Sequence, residues 1–206
     1  MEDGRYPKDY GKKRESMSSL KLSPDEILQA EYDYIAQCAF QANEDRARAA
    51  SFYFVSVGSL IAAILGTQFA NGLSEWVYRA FGLLFLVLTV LGVLTIFQLA
   101  RLRAAWTSAV KAMNAIKRYY LEKYPELSKA LVWLEPPKSV KWYSIANLLR
   151  IQVGLLSGLT FAASFYTFFR SFYLDLPFWT WWLTILSPIG IFILEGFGYH
   201  KLMNMI

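Results

Sequence analysis

The chain has 206 residues, 55% hydrophobic and 18% charged, with a mean hydropathy of +0.29 and a formal net charge of +5. A soluble domain is about 25% charged. Here the charges are collected between long uncharged blocks, which argues against one large water-soluble core. A single histidine and a single cysteine exclude a metal cluster or a Cys–His nucleophilic pair built within one copy.

Residues 1–22 are polar and read as a disordered basic cytoplasmic tail, with no short apolar segment ending in a small-residue cleavage site. The cluster Lys12, Lys13 and Arg14 is a candidate contact for anionic lipid headgroups; as a bland alternative it serves only to set topology.

Residues 23–124 read as one unit of cytoplasmic helix, span one, span two and a second cytoplasmic helix. Ser23-Pro24-Asp25-Glu26 is a helix start, with Ser at the cap, Pro at the first helical position and Glu closing a capping box. No proline follows until Pro125, so one helix is expected to run from about residue 24 into span one, and another from span two to about residue 124. Ala49–Ser74 carries no charge over 26 residues and Ala80–Ala100 none over 21. Both exceed the ~18 apolar residues that mark a membrane-crossing helix, placing the spans at about 50–70 and 79–100. The flanking helices look complementary. Residues 24–48 are net acidic, residues 101–124 net basic, and Leu102, Ala105, Ala109, Met113, Ile116 and Tyr120 step by three or four. Ile27, Tyr34, Cys38 and Ala42 mark a shorter stripe on the first helix. Together they predict an antiparallel two-helix cytoplasmic stalk. The run Asn43 to Arg46 could hold a cation, but is better read as neutralising the helix where it meets the membrane.

Residues 125–141, with Pro125, Pro136 and Pro137 around an apolar stretch, read as an interfacial linker: a short helix dipping Trp133 into the headgroups, or an elbow packed on the stalk. Residues 142–206 hold two further uncharged runs, Ile151–Phe169 and Leu176–Leu194, each of 19 residues. They give spans at about 148–170 and 177–199. The fold class expected is therefore all-α: a polytopic membrane protein with four transmembrane helices and a stalk.

Basic residues orient it. Of 21 Lys and Arg, eight precede span one, ten lie between spans two and three, and one follows span four. Only Arg79 and Arg170 fall in the two short hairpins. Positive charge is retained inside during insertion, so both termini and the central segment are expected in the cytoplasm of a cell with this chain in its inner or plasma membrane. Trp76, Tyr78, Trp142, Tyr143, Trp179, Trp181 and Trp182 mark the boundaries as aromatic belts do. Topology, stalk pairing and lipid headgroups absorb the positive charge, which removes the case for nucleic acid as a partner.

Within the spans, Gly58, Ala62 and Gly66 recur at four-residue steps, as do Gly154, Gly158 and Ala162. Small residues at this spacing let helices approach closely. They are candidates for a homo-oligomer interface, or for packing of span one on span three inside one copy. Val57-Gly58 and Val153-Gly154 also hint at a repeat between the two hairpins. Thr180, Thr184, Ser187 and Glu195 form a stripe on span four, a candidate polar path; hydroxyls in spans more often bond to backbone. Glu195, a carboxylate at the inner end of a span, is a functional candidate by residue type, or else an ion-pair partner of Lys201, Arg101 or Arg103. No phosphate loop or paired intramembrane carboxylates occur, so no enzyme activity, cofactor or metal is expected.

In layout, the unit of amphipathic helix, two spans and basic cytoplasmic helix over residues 24–124 resembles SLATT-type and four-span membrane effectors of prokaryotic conflict systems. That resemblance implies an oligomeric, membrane-permeabilising module under a cytoplasmic sensor; spans three and four have no counterpart in the two-span version. The reading from residues and layout is an oligomeric pore or channel-type effector controlled through the stalk. The alternatives are a non-conducting anchor that docks a cytoplasmic protein partner and a small-solute transporter built around Glu195.

Overall fold

The computed structural model describes residues 23–66, 74–129, 131, 144–173 and 177–204. The Lys12–Arg14 cluster, Trp133 and the boundary residues Trp142 and Tyr143 lie outside them. Four α-helices make up the fold: α1 (Pro24–Gly66), α2 (Glu75–Lys123), α3 (Ile145–Arg170) and α4 (Phe178–Asn204), with a 3₁₀ turn at Pro125–Lys129. No strand occurs among the described residues. All four helices are long and apolar enough to cross a membrane.

The helix ends follow from local chemistry. Glu26 N–H donates to the Ser23 hydroxyl at 3.2 Å, and Ser23 N–H donates to the Glu26 carboxylate at 3.1 Å. This reciprocal capping box starts α1 where expected. Tyr124 ends α2 one residue before Pro125, with its N–H bonded to the Tyr120 carbonyl at 2.8 Å. Ser144 caps α3 by accepting from Asn147 N–H at 3.3 Å.

Helices α1 and α2 are 43 and 49 residues long, against 26 and 27 for α3 and α4. At 1.5 Å per residue α2 is about 74 Å long and overhangs α3 by roughly half that length. The two long helices pair antiparallel throughout. Asp25 meets Lys123 at 3.6 Å, Lys117 lies 5.9 Å from the Tyr32 ring centroid, and the Tyr53 hydroxyl abuts Gly92. At the far tip, the Asp25 carboxylate pushes the Lys123 ammonium above its ordinary pKa.

The paired face differs from the one the apolar stripes suggest. Ile27 is 52% exposed and Tyr34 63%, whereas Ala39 and Ala42 are buried. The inward positions on α1 are Leu28, Tyr32, Ile35, Ala39, Ala42, Arg46, Ala50, Tyr53 and Val57, all buried or half-buried. Their spacing is three or four residues throughout, that of one helix face. On α2, Gly92, Arg103, Lys117, Tyr120 and Lys123 meet α1. Of the six expected positions on α2 only Ala105 is exposed; Leu102, Ala109, Met113, Ile116 and Tyr120 are half-buried. Leu127 and Leu131 line a groove with Tyr32 and Ile116, so the start of the linker folds back as an elbow on the helix pair.

In the four-helix region α2 is central, packing on α1 and α3, while α4 seats on α3. The core comprises Ala50, Tyr53, Val57, Leu88, Ile96, Leu99, Ala100, Val153 and Tyr199. Hydroxyls fasten α2 to α3: Thr89 to Thr160 at 3.1 Å, Ser157 to the Thr89 carbonyl at 3.4 Å, and Ser164 to the Gly82 carbonyl at 2.7 Å. Interhelical bonds of this kind contribute roughly 0.6–2 kcal/mol each within a membrane.

Glycines set the helix spacings. A Cβ on Gly92 would lie 2.7 Å from both the Ser157 Cβ and the Tyr53 hydroxyl, and one on Gly158 would lie 2.9 Å from the Pro188 carbonyl oxygen. Gly154 faces Phe192 and Glu195, so the span-three glycines hold α4 and not α1. Gly58 and Gly66 face open space, and Ala62 is exposed. The Val-Gly echo is therefore broken: Val57 and Val153 share one core, but their glycines have different surroundings. Gly158→Ala and Gly92→Ala are each expected to destabilise the detergent-solubilised chain by about 1–3 kcal/mol through overpacking. Gly58→Ala should leave stability level or slightly raised, as helix propensity dictates; thermal unfolding followed by circular dichroism measures all three.

Candidate functional site

The hydroxyl stripe of α4 is consumed by its own backbone. Thr180 donates to the Pro177 carbonyl at 2.6 Å, Thr184 to the Thr180 carbonyl at 2.9 Å, and Ser187 to the Thr184 carbonyl at 3.1 Å. The last bond has a specific cause. Pro188 has no N–H, so the carbonyl four residues earlier, that of Thr184, loses its helical partner; the Ser187 hydroxyl replaces it. Each of these hydroxyls thus gives its proton to backbone and keeps its oxygen lone pairs as acceptors. Ala162 on α3 is half-buried.

Glu195 stands apart. It is 6% exposed, and both carboxylate oxygens are buried without a hydrogen-bond partner among the described residues. Its neighbours are the Ser157 hydroxyl and the Arg150 guanidinium, neither in hydrogen-bonding geometry, and no ion pair forms. Arg101 and Lys201, two of the cations expected to reach it, are exposed. A Cβ on Gly154 would lie 3.0 Å from a Glu195 oxygen, so the glycine admits the carboxylate between α3 and α4.

Tyr53 completes the junction. It is 1% exposed and its hydroxyl is buried. The hydroxyls of Ser157 and Thr160 are close, but both protons are directed at backbone carbonyls, and none forms a bond with good geometry to the phenol. Tyr53 reaches this position across Gly92, whose missing side chain gives it room. One residue or more from each of the four helices thus meets at one polar point: Tyr53, Gly92, Ser157 with Gly154, and Glu195. An unsatisfied buried polar group costs on the order of several kcal/mol in hydrocarbon, so two together mark a site and not a packing detail.

One turn further toward the helix-pair end lies Tyr199, 4% exposed. The Arg150 guanidinium carbon sits 5.8 Å from the Phe192 ring centroid and 5.4 Å from that of Tyr199, bracing α3 on α4 by cation–π attraction. Its Nε also donates to the Asn147 side chain at 3.2 Å. The guanidiniums of Arg103, Arg150 and Arg46 are all in electrostatic reach of the Tyr199 hydroxyl. At the opposite end Arg79 is paired with Glu75 at 3.7 Å and lies 5.0 Å from both the Trp76 and Phe172 ring centroids. Asn43 accepts from Arg46, while Glu44 and Asp45 pair with Arg48, which commits the Asn43–Arg46 run to local neutralisation.

Glu195 and Ser157 are visible in the sequence as polar residues in or at the end of apolar runs; Tyr53, Gly92 and Arg150 are not. Their signal is Gly82-Thr89-Gly92 at steps of seven and three, which a search for four-residue glycine steps passes over. Glu195→Gln, which keeps shape and removes the formal charge, is expected to retain or raise thermal stability. Glu195→Ala should lower it by about 1–3 kcal/mol by leaving a cavity. Equal losses from both would mean that a charge-dependent partner occupies the junction.

Comparison of the chain with protein-family models, with curated proteins and with solved structures finds no match.

Proposed function

We propose that this protein is an oligomeric, multi-pass membrane module of the pore or channel type, controlled through the paired extensions of α1 and α2, which stand in the cytoplasm. The observation that carries the oligomeric reading is the open face of α1: Gly58 and Gly66 have nothing within 4 Å of an added Cβ, and Ala62 between them is exposed. Gly82, Gly92, Gly154 and Gly158 are packed within one copy, whereas Gly58, Gly66 and Gly190 are open; a second copy is the occupant that suits the small-residue stripe of α1. A conducting path would lie between copies, because the described hydroxyls of α4 are already bonded within their own helix. Control through the extension is supported by helix continuity. A tilt of α1 at its paired end is transmitted without a hinge to Tyr53 at the polar junction. The layout resemblance to SLATT-type effectors points the same way.

A specific observation favours the anchor reading as the second. The end of the helix pair carries a groove of about 570 Å³, with Leu28, Tyr32, Ile116, Tyr120 and Leu127 among its lining residues. An apolar groove of that size suits a docking helix. The transporter reading rests on Glu195 alone and stands third.

Planar-bilayer recording of the purified chain, with its mass measured in detergent, separates the readings. Discrete conductance from a species of several copies is expected, and Gly58→Leu with Gly66→Leu should abolish both while leaving helix content unchanged. Silent bilayers and a single-copy mass would contradict the proposal.

A further inference from the structure

Arg46 and Arg103 occupy facing positions in the α1–α2 seam. The register follows from the flanking pairs, Tyr32 with Lys117 and Tyr53 with Gly92. Arg46 is the one charged residue among the inward positions of α1 given above, and its Nε is buried with no hydrogen-bond partner. Each guanidinium lies in the repulsive field of the other. Facing like charges destabilise a helix pair, and two arginines are a poor choice for a seam unless something negative sits between them. Protein carboxylates do not supply it. Glu44 and Asp45 are engaged by Arg48, and none of Arg46, Arg103 and Arg150 forms an ion pair among the described residues. Arg150 adds a third cation, arriving from α3 with its guanidinium carbon 5.4 Å from the ring centroid of Tyr199, whose hydroxyl is also in electrostatic reach of Arg46 and Arg103. Among the described residues Glu195 is the one acid in electrostatic reach of this group, through Arg150, and it forms no ion pair with it.

We infer that Arg46, Arg103 and Arg150, with the Tyr199 hydroxyl, form a binding site for a phosphate group, supplied by an anionic phospholipid headgroup at the membrane face. Guanidinium is the cation best matched to phosphate, through paired N–H donors, and basic pockets between helices at that depth take lipid headgroups. The site lies where α1 and α2 leave the four-helix region, so an occupying phosphate clamps the extension to the bundle. It does not depend on whether the protein conducts. Only the lipid source of the phosphate depends on the membrane reading.

Native mass spectrometry of the full chain in detergent, with equal phosphatidylglycerol and phosphatidylcholine, tests this. Retention of phosphatidylglycerol over phosphatidylcholine is expected, falling about fivefold for each of Arg46→Gln and Arg103→Gln. Arg101→Gln with Arg118→Gln, at exposed positions off the seam, should retain the preference. A parallel arm follows thermal stability with inorganic phosphate in place of lipid; stabilisation there without lipid preference supports the phosphate site and assigns it to a soluble anion. A wild-type chain with neither lipid preference nor phosphate response overturns the inference without recourse to any variant. Folded Arg46→Gln/Arg103→Gln protein that keeps the full preference overturns it equally.

Discussion

Inside hydrocarbon a polar group has only protein to bond with, and that requirement orders the four-helix region. Thr89, Ser157, Thr160 and Ser164 tie α2 to α3 by bonding across or back to backbone. Ser187 repairs the carbonyl that Pro188 leaves unpaired. Glycines at 82, 92, 154 and 158 are where these side chains and the facing helices need room. Beside these bonded hydroxyls, the Glu195 carboxylate and the Tyr53 phenol are buried without a partner among the described residues, and they lie together where all four helices converge.

Helix continuity gives that junction a mechanical context. Neither α1 nor α2 is interrupted between its paired end and the apolar region. The seam that begins with Leu28 ends in the core at Tyr53 and Val57. The arginine group lies between the far tip and the polar junction on these same two continuous helices.

The four spans were legible because charge is excluded from hydrocarbon over a length any sequence displays, and Ser23–Glu26 and Pro125 stated the helix limits directly. The faces were less legible. A stripe chosen by apolarity selects Ile27 and Tyr34, but burial falls on a different face of the helix, where the small residues Ala39 and Ala42 are what the pairing buries. In lipid, apolar side chains mark neither face, so the inward surface of a span shows only in its glycines and hydroxyls. Even these divide: Gly154 and Gly158 are packed while Gly58 and Gly66 are open, a difference that depends on which helix becomes the neighbour. Arg150 illustrates the same point. It counted in sequence as a topology-setting charge, yet its side chain is braced across α4.

The central claim is that these helices cross a bilayer with the paired extension inside and the hairpins outside. Cys38 is the single cysteine of the chain, so replacing it by serine gives a clean background for Ser108→Cys on the extension and Ser74→Cys and Phe172→Cys at the hairpins, all exposed positions. In intact cells a membrane-impermeant maleimide should label the two hairpin cysteines and reach Ser108→Cys only after permeabilisation. Labelling of all three alike, or of Ser108→Cys alone, would contradict the account.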